Sequence, residues 1–575
     1  MRKLFPLFLV VVLVVSSSSV GLPVLSREVL ASAPQPPSGL YRTRVAVRQP
    51  ADWARLERLG VTVLERGDDW ALVLADGDLS SNSTPAATVA NRQPPGVAPP
   101  DLRPPSASTG FVPPARNLSH LKGKRMPRNV LADDLPSSLD WRDHGGVTPV
   151  KHQGGCGACY AFAAIANVES KLLLDGAGTY DLSENNAKEC NWHQTSCSGG
   201  NYDQLASHFS QKGIVLESCD PYVASDVDCN TTCAISKTLL DWRIISGDSV
   251  PDTEVLKAYV FEYGPVHTTL NVAVLGDLSG YDGSYALYHA TPSNWGIDHA
   301  VLVVGWDDTL THEGGSGGWI FKNSWGTDFG DNGYGIVAYG SANFGMYSSF
   351  MHDWQEYDSS GELLYYDEGG CNSDYGYRTA SGFDTTGWGL AKFIPKRSGK
   401  VTRVEFWTTD RTTDVDVYVY DEFNTETTSL GSLLYSELNN AWNEAGYHSV
   451  RIDPPLVVTA DDDLIAVVKF TNATYDMPIP IDGDGPSEMQ RTYISHTGLD
   501  DSWIDAGTWG RRDVGIRLRM SDLSGPPPPP PPPPPPVPRP TVVRQITGWG
   551  HFGNAVAGVR DVNGDGVPDF AAGAT

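Results

Sequence analysis

The chain has 575 residues, of which 40% are hydrophobic, and at about 150 residues per domain this is enough for three or four packed domains. Lysine and arginine number 42, aspartate and glutamate 69, and the net charge is −27. A chain this acidic repels phosphate backbones, which argues against nucleic acid as a partner.

The first residues have the pattern of an export signal. Arg2 and Lys3 precede an apolar run from Leu4 to Val15, and a serine-rich stretch follows. Because the run is short for a transmembrane helix, we expect a signal peptide over residues 1–33, with an uncleaved anchor as the alternative. No other stretch approaches membrane length. We therefore expect a mature protein that is secreted or displayed at the cell surface, without a membrane span.

Residues 34–130 form the predicted pro-region. Alternating apolar residues at Val45 and Val47, a helical pattern over residues 52–60 and apolar runs over 61–64 and 70–74 predict a small β-α-β-β unit. Residues 80–114 are rich in serine, proline and alanine. That composition is typical of a flexible linker.

A globular segment over residues 135–353 is followed by regions of different composition. Residues 365–520 contain alternating runs such as VDVYVYD and VGIRLRM and no long helical pattern, which predicts an all-β sandwich. This region resembles the lectin-like domains of some exported bacterial proteins. Residues 521–541 include eleven consecutive prolines, and we expect them to form an extended polyproline II linker.

The last segment, residues 542–575, contains the stretch DVNGDGVPD. Its side-chain oxygens are spaced around a glycine turn in a set that suits Ca²⁺, and the candidate ligands are Asp561, Asn563, Asp565 and Asp569. With Phe552 and Gly553 before it, the stretch resembles an FG-GAP repeat of integrin-type propellers. Such repeats are not stable singly, so we expect either a disordered tail or, as we favour, a fragment of a longer chain.

Export also changes the interpretation of the eight cysteines. Seven lie between Cys156 and Cys233, which indicates a disulfide-stapled domain with one thiol left over. The pair Cys156 and Cys159, in QGGCGACYAF, fits a redox motif, half of a zinc site, or one disulfide cysteine beside one catalytic cysteine. The glycine-rich lead-in does not suit a redox motif. Zinc would need a second ligand pair from cysteines that are better interpreted as bridges.

The third interpretation has a specific form. The stretch Cys156-Gly157-Ala158-Cys159-Tyr160 resembles the nucleophile motif of papain-like cysteine peptidases. Four further blocks resemble that family in its order: LSENNAKEC from Leu182, CSGG from Cys197, DHAV from Asp298 and KNSWG from Lys322. The resemblance covers residues 135–353. It implies an α+β, papain-like two-lobed domain, with a helical lobe and a β-barrel-like lobe, ahead of the all-β sandwich.

The resemblance also implies catalytic roles. Cys159 would attack as a thiolate, favoured by the start of a predicted helix and by His299. Asn323 would orient the imidazole, and Trp325 would shield that hydrogen bond from water. Gln153 and the Cys159 N–H would stabilise the oxyanion. The expected substrate-binding residues are Gly199 and Gly200 for the substrate backbone, and Ile297 and Ala300 for an apolar second subsite.

The family resemblance further implies the disulfides Cys156–Cys197 and Cys190–Cys229. Cys219 and Cys233 then remain in the same domain and would pair by default. Cys371 is left over, as a free buried thiol or an intermolecular bridge.

Two features depart from the family pattern. Ala158 and Tyr160 replace the commoner serine and tryptophan, and the tyrosine could alter packing under the site. The N-terminal unit lacks a long helical pro-segment, which leaves open whether the pro-region inhibits. We expect it to be removed or displaced on activation.

These features predict a secreted cysteine endopeptidase, made as a precursor, that cleaves protein or peptide substrates through a Cys159 thioester. Catalysis would need no cofactor, and the accessory modules would bind a carbohydrate or cell-surface ligand. One alternative is a surface adhesin whose peptidase-like domain mainly binds. The other is a transpeptidase that passes the acyl group to an amine.

Overall fold

The computed structural model describes residues 109–121, 126–127, 130, 132, 135–289, 296–379 and 382–523, together with the backbone of six short strands outside these ranges. The chain divides into two compact units, residues 1–97 and 98–575.

The first unit contains a four-stranded antiparallel sheet in the order β1-β2-β4-β3. Its strands are β1 (Val24–Val29), β2 (Leu40–Ala46), β3 (Thr62–Arg66) and β4 (Trp70–Asp76). The last three lie where the sequence predicts strands, whereas the predicted helix over 52–60 lies outside the described residues. Strand β1 was not expected, because it falls within the predicted signal peptide. A boundary at residue 33 would remove this edge strand from the sheet.

The second unit begins with a domain over residues 135–353, called the central domain below. Its helices are α1 (Cys159–Leu174), α2 (Glu184–Cys190), α3 (Tyr202–Gln211) and α4 (Thr253–Tyr263). Helix α1 is apolar on nearly all sides and almost completely buried, as expected for a helix at the centre of a lobe. Asn201 and Gln204 form a capping box at the start of α3, which fixes the point where the chain turns into that helix.

The strands of the central domain are β5 (Ser138–Asp140), β6 (Ile214–Val215), β7 (Ile235–Ile244), β8 (Val266–Leu270), β9 (His299–His312), β10 (Gly315–Lys322), β11 (Tyr334–Ala338) and β12 (Met346–Glu356). They follow the order β11-β10-β9-β8-β12-β7, all antiparallel. Strand β9 opens with the buried run HAVLVVGW, which suits a strand covered on both faces. Helices α1–α3 form one lobe and the sheet around β9 forms the other, as the sequence predicts.

The second domain of this unit, called the sandwich domain below, runs from residue 362 to 521. Its elements are β13 (Glu362–Leu364), β14 (Ser373–Tyr375), β15 (Arg378–Thr379), β16 (Gly382–Phe383), β17 (Thr386–Phe393), β18 (Gly399–Thr408), β19 (Asp414–Tyr420), β20 (Phe423–Asn424), β21 (Ser429–Leu430), β22 (Leu433–Ala441), β23 (Ala445–Val458), β24 (Leu464–Thr471), β25 (Ile479–Asp482), β26 (Thr492–Ser495), β27 (Ile504–Asp505), α5 (Ala506–Gly510), β28 (Asp513–Val514) and β29 (Ile516–Ser521). One layer is β22-β19-β24-β17-β26-β27, and the other is β23-β18-β29-β13. Alternate residues of β19, such as Val415, Val417 and Val419, are buried in the shared core, as the period of two predicts.

The two domains share one sheet. Strand β7 of the central domain pairs antiparallel with β23 of the sandwich domain through Ile244–Ala445, Arg243–Gly446 and Trp242–Tyr447. The resulting sheet has twelve strands. Composition predicts two separate globular regions, but the backbone hydrogen bonds of the β7–β23 pair join them into one body.

Strands β30 (Ala555–Gly558) and β31 (Phe570–Gly573) pair antiparallel near the end of the chain. The polyproline segment and the predicted calcium ligands lie outside the described residues. In the part of the chain that the structure describes, no helix combines the length and apolar character needed to cross a bilayer.

Candidate active site

The pairing of two strands brings His299 and Asn323 together. His299 opens β9 and Asn323 directly follows β10, and the two strands run antiparallel, with Lys322 opposite Leu302. The His299 Nε2 lies 2.8 Å from the Asn323 side-chain oxygen. Because an amide oxygen only accepts, Nε2 must carry the proton in this bond. The other ring nitrogen, Nδ1, is then available for proton transfer.

An aromatic side chain covers this pair. The ring of Trp325 lies 4.8 Å from the ring of His299, tilted by 32°, and Trp325 is buried. Its far edge packs against Phe329. The His299–Asn323 hydrogen bond is therefore held in a dry environment, where it is stronger than in water.

The thiol of Cys159 lies at the first residue of α1 and is fully buried. The backbone N–H of Ala300 donates to its Sγ at 3.4 Å. Burial raises the pKa of Cys159 to about 12, and the nearby Asp298 adds to this, although the N–H groups of Ala300 and Gly110 act in the opposite direction. Burial in the covered cleft therefore favours the protonated thiol over the thiolate.

Gln153 joins the loop before α1 to the end of β10. Its Nε2 donates to the Cys156 carbonyl at 2.9 Å, and its Oε1 accepts from the Ser324 hydroxyl at 2.5 Å. Its backbone N–H donates to the Ser324 carbonyl. These bonds fix a side-chain amide between the nucleophile loop and the residue that follows Asn323.

Three disulfides brace the helical lobe: Cys156–Cys197, Cys190–Cys229 and Cys219–Cys233. They are the pairs that the sequence analysis expects. The first ties the nucleophile loop to the Gly199–Gly200 loop. Cys371 is buried and forms no disulfide within the chain, which agrees with the expectation of a free buried thiol.

The tyrosine that departs from the family motif supports the glycine loop. The Tyr160 hydroxyl lies 2.7 Å from the Thr195 hydroxyl and donates to the Ser196 carbonyl at 3.0 Å. A Cβ added to Gly200 would lie 2.8 Å from the Tyr160 ring. Tyr160 thus packs directly beneath Gly200 and leaves no room for a side chain there.

The cleft between the lobes holds residues of the pro-region. The N–H groups of Gly110 and Phe111 donate to the Asp298 carbonyl at 3.1 Å, and that of Val112 donates to Gly200 at 3.0 Å. The Gly200 N–H donates in turn to the Gly110 carbonyl at 3.0 Å, so Phe111 and Gly200 form a parallel β-bridge. The expectation of a flexible linker over residues 80–114 is wrong for residues 109–114.

Composition misled that prediction because a stretch rich in serine, proline and alanine shows only that few side chains are available for a local core. The cleft instead supplies contacts from residues that are distant in the sequence. A signal was present in the sequence. Phe111 is the one phenylalanine, tyrosine or tryptophan between residues 80 and 130.

Phe111 fills an apolar pocket beside the nucleophile. It is 5% exposed and shares a core cluster with Cys159 and Ala300, against which Ile297 packs. Of the two residues predicted for the second subsite, one thus belongs to the core cluster that takes up Phe111 and the other packs against that cluster. The pocket also includes two residues that the sequence analysis did not identify, His267 and Tyr347, whose rings lie 6.1 and 5.7 Å from that of Phe111.

Two glycines allow the close approach of the pro-region to the cleft wall. A Cβ on Gly110 would lie 1.9 Å from the Gly157 carbonyl oxygen, and one on Gly199 would lie 2.5 Å from the Gly110 carbonyl oxygen. Gly199 also has φ +96°, a conformation that favours glycine. The predicted glycine loop is thus in contact with a polypeptide backbone.

Within the described ranges, no three histidine, cysteine, aspartate or glutamate side chains are grouped so as to hold a metal ion. The four candidate calcium ligands, Asp561, Asn563, Asp565 and Asp569, lie outside those ranges and stay a prediction.

Comparison with known proteins agrees with this geometry. Residues 135–353 match the papain family cysteine proteases, and residues 363–517 match the lectin-like domain family. The senescence-specific cysteine protease SAG12 of Arabidopsis thaliana is 33% identical over 239 residues, which is 40% of this chain and 65% of that protein. Procathepsin L of Mus musculus is 31% identical over 231 residues, or 39% of this chain and 66% of that protein. This chain thus spans slightly less than two thirds of the length of these relatives.

A solved structure shares both domains. The cysteine protease and lectin-like domains of Cwp84, a surface layer associated protein of Clostridium difficile, superpose with a TM-score of 0.57 at 19% identity, covering 72% of this chain and 93% of that one. The clostridial protein after propeptide cleavage gives the same TM-score at 20% identity, covering 67% and 100%. Residues 135–353 therefore have a papain-like fold and match the papain family cysteine proteases, and a β-sandwich that matches the lectin-like domain family follows them.

Proposed function

We propose that this protein is an exported cysteine endopeptidase, made as a precursor, that hydrolyses peptide bonds of protein or peptide substrates through a Cys159 acyl-enzyme. The observation that carries the proposal is the hydrogen bond between His299 and Asn323 beneath the Trp325 ring. His299 opens β9, and the next residue of that strand donates its backbone N–H to the Cys159 thiol.

The proposed mechanism follows from this geometry. Once the cleft is open to water, Cys159 transfers its proton to His299 Nδ1, and the helix terminus favours the resulting thiolate. The thiolate attacks the substrate carbonyl, and the Gln153 amide with the Cys159 N–H stabilises the oxyanion. The imidazolium then protonates the leaving amine, and water releases the acyl group from the thioester.

The precursor state follows from the contents of the cleft. Gly110 to Val112 use the backbone groups of Gly200 and Asp298 that a substrate would need, and Phe111 fills the apolar pocket. We infer that residues 109–121, called the pro-segment below, keep the enzyme inactive until they are cleaved or displaced. The raised pKa of the covered Cys159 is consistent with this.

We further propose cell-surface association. The predicted signal peptide, the lectin-like domain and the description of Cwp84 as surface layer associated all support it. A carbohydrate or cell-surface ligand of the sandwich domain remains a proposal, as does calcium binding at the C-terminal repeat.

A thiol-directed epoxide tests the peptidase function. The protein is treated before and after activation, and adducts are located by intact mass and peptide mapping. We expect one adduct, on Cys159, that forms after activation and is lost in His299→Ala. The control His312→Ala changes a half-buried histidine whose ring accepts from the Gly314 N–H and stacks on Tyr288, and it should label normally.

Product analysis separates the alternatives. Peptide products that appear with water alone, and are not diverted by an added amine, support hydrolysis over acyl transfer to amines. Absence of labelling in folded, activated protein, with retained binding to cell surfaces, would instead favour the adhesin.

A further inference from the structure

The pro-segment places one of its side chains in a pocket built by both domains. The Arg116 side chain is fully buried there. Its Nε and Nη2 donate to the two carboxylate oxygens of Asp203 at 2.9 and 3.1 Å, and its Nη1 lies 3.6 Å from the Cys371 Sγ. The guanidinium carbon lies 5.6 Å from the centroid of the Trp407 ring. Asp203 belongs to α3 of the central domain, whereas Cys371 and Trp407 belong to the sandwich domain.

The chemistry of the pocket selects a guanidinium group. Two parallel N–H···O bonds to one carboxylate require a planar donor with two nitrogens on one edge, which arginine has and lysine lacks. An aromatic face beside the group adds a cation–π attraction. A lysine ammonium could reach one oxygen but could not reproduce the paired contact.

The pocket continues the wall of the cleft. Gly200, which pairs with Phe111, lies three residues before Asp203 in the sequence, and α3 begins between them. Along the pro-segment, Arg116 follows Phe111 by five residues (116 − 111). An extended chain covers at most about 3.5 Å per residue. A polypeptide that leaves the cleft past Gly200 can therefore reach Asp203 along the same surface.

Departure of the pro-segment would leave buried carboxyl groups together. Asp203 and Asp374 both lie near the guanidinium, and the positive charge of Arg116 acts to lower the pKa of both carboxyl groups. Burial raises the pKa of Asp374 to about 7 even with Arg116 present. Buried acidic groups without a counter-cation are costly, so the vacated pocket favours another cation of matching shape.

We propose that this interdomain pocket is a substrate subsite that accepts an arginine side chain of a polypeptide, and that Arg116 occupies it in the precursor. The inference rests on the proposed peptidase function and adds a substrate class to it. The preferred substrates carry an arginine on the Gly200 side of the scissile bond, beyond the residue that pairs with Gly200.

The test uses the full protein after activation, with loss of the pro-segment verified by peptide mapping. Fluorogenic peptides with a constant cleavage site carry one arginine, moved stepwise along the Gly200 side. Lysine and the neutral isostere citrulline replace it in matched series. We expect one position at which arginine lowers KM by about 10- to 100-fold relative to citrulline, as for a hydrogen bond to a charged group. Lysine at the same position should lower KM much less than arginine does.

A variant locates the effect in the pocket. Asp203→Asn should bring the ratio of kcat/KM for the arginine and citrulline peptides close to one. Asp143→Asn, which changes an exposed carboxylate of the same domain, should keep the ratio of the unchanged protein. The peptide series on the unchanged protein is informative even if Asp203→Asn does not fold.

Each outcome decides a different point. Activity without arginine preference at any position overturns the subsite and leaves the proposed function standing. If the activated protein cleaves no peptide and its Cys159 is not labelled, the proposed function fails. Binding of the peptide of residues 109–121 then tests the pocket, and equal binding by its citrulline form would count against it. If no activating condition releases the pro-segment, Arg116 is a permanent structural partner and the proposal is wrong.

Discussion

Phe111 and Gly200 form a parallel β-bridge across the cleft, so the pro-region uses the same backbone groups of the glycine loop that the family resemblance assigns to substrate. The bridge also orders the chain on either side. Gly110 lies against the nucleophile loop, and Val112 leads away from it.

Phe111→Ala should open the cleft of the precursor. Removing a buried phenylalanine side chain costs about 3 to 5 kcal/mol, which corresponds to at least a 100-fold weaker hold of the pro-segment at about 1.4 kcal/mol per tenfold. We expect epoxide labelling of Cys159 in the uncleaved precursor to accelerate by about that factor. Val112→Ala is the control, because the Val112 side chain is 44% exposed. Equal labelling rates in the two variants would argue against pocket filling as the basis of inhibition.

Asn323→Ala should reduce catalysis through ring orientation. Without the acceptor for Nε2, His299 can rotate away from Cys159, and we expect kcat/KM of the activated protein to fall by up to about 100-fold, within the range of a positioned acid–base group. Since Asn323 acts through His299, the pH dependence of kcat/KM should change as well. Asn440→Ala removes a half-buried asparagine of the sandwich domain and should change neither. A lower rate with an unchanged pH profile would indicate a purely structural role.

Asp374→Asn should remove part of the pH dependence of stability. Burial raises the pKa of Asp374 from 3.8 to about 7. Between these values the folded protein holds a proton that the unfolded chain has released, so the free energy of unfolding falls as pH rises through this window. We expect the melting temperature of the variant, compared with that of the unchanged protein at the same pH, to rise as the pH goes from 4 to 7. Asp462→Asn, at an exposed carboxylate, should show no such trend. A difference in melting temperature that is constant with pH would refute the assignment.

Gly446→Ala should weaken the sheet that joins the domains. Gly446 has φ +145°, and an added Cβ would lie 2.1 Å from the Trp242 carbonyl oxygen, in the strand pair that links the domains. We expect calorimetry to resolve separate unfolding transitions for the central and sandwich domains. Gly382→Ala is the control. Gly382 has a similar backbone conformation, with φ +134°, but a Cβ added there would meet no other atom within 4 Å. If both variants unfold like the unchanged protein, the β7–β23 pair does not couple the domains.

Much of the site was readable from the sequence because its residues are local to short motifs. The CGACY stretch identifies a helix that begins at Cys159, and the apolar run after His299 identifies a buried strand that starts there. The disulfide pairs also follow from the motif resemblance and from elimination among seven clustered cysteines.

Other features were hidden because they depend on contacts between residues far apart in the chain. Arg116 lies just after the stretch predicted as a linker, where no motif marks it, yet it is buried against residues 87 and 255 positions away. His267 and Tyr347 carry no motif, and only the folding of β8 and β12 brings them to the Phe111 pocket.

The sequence by itself determined the class of domain, the candidate nucleophile, the histidine proposed to serve it and the cysteines that brace them, because these are set by residue type and short-range spacing. Only the tertiary structure decided what lies in the cleft and how the two domains join. The cleft contents and the β7–β23 pair both rest on backbone hydrogen bonds. Since every residue type except proline offers the same backbone donor and acceptor, the pattern of side chains does not predict which backbone segments will pair.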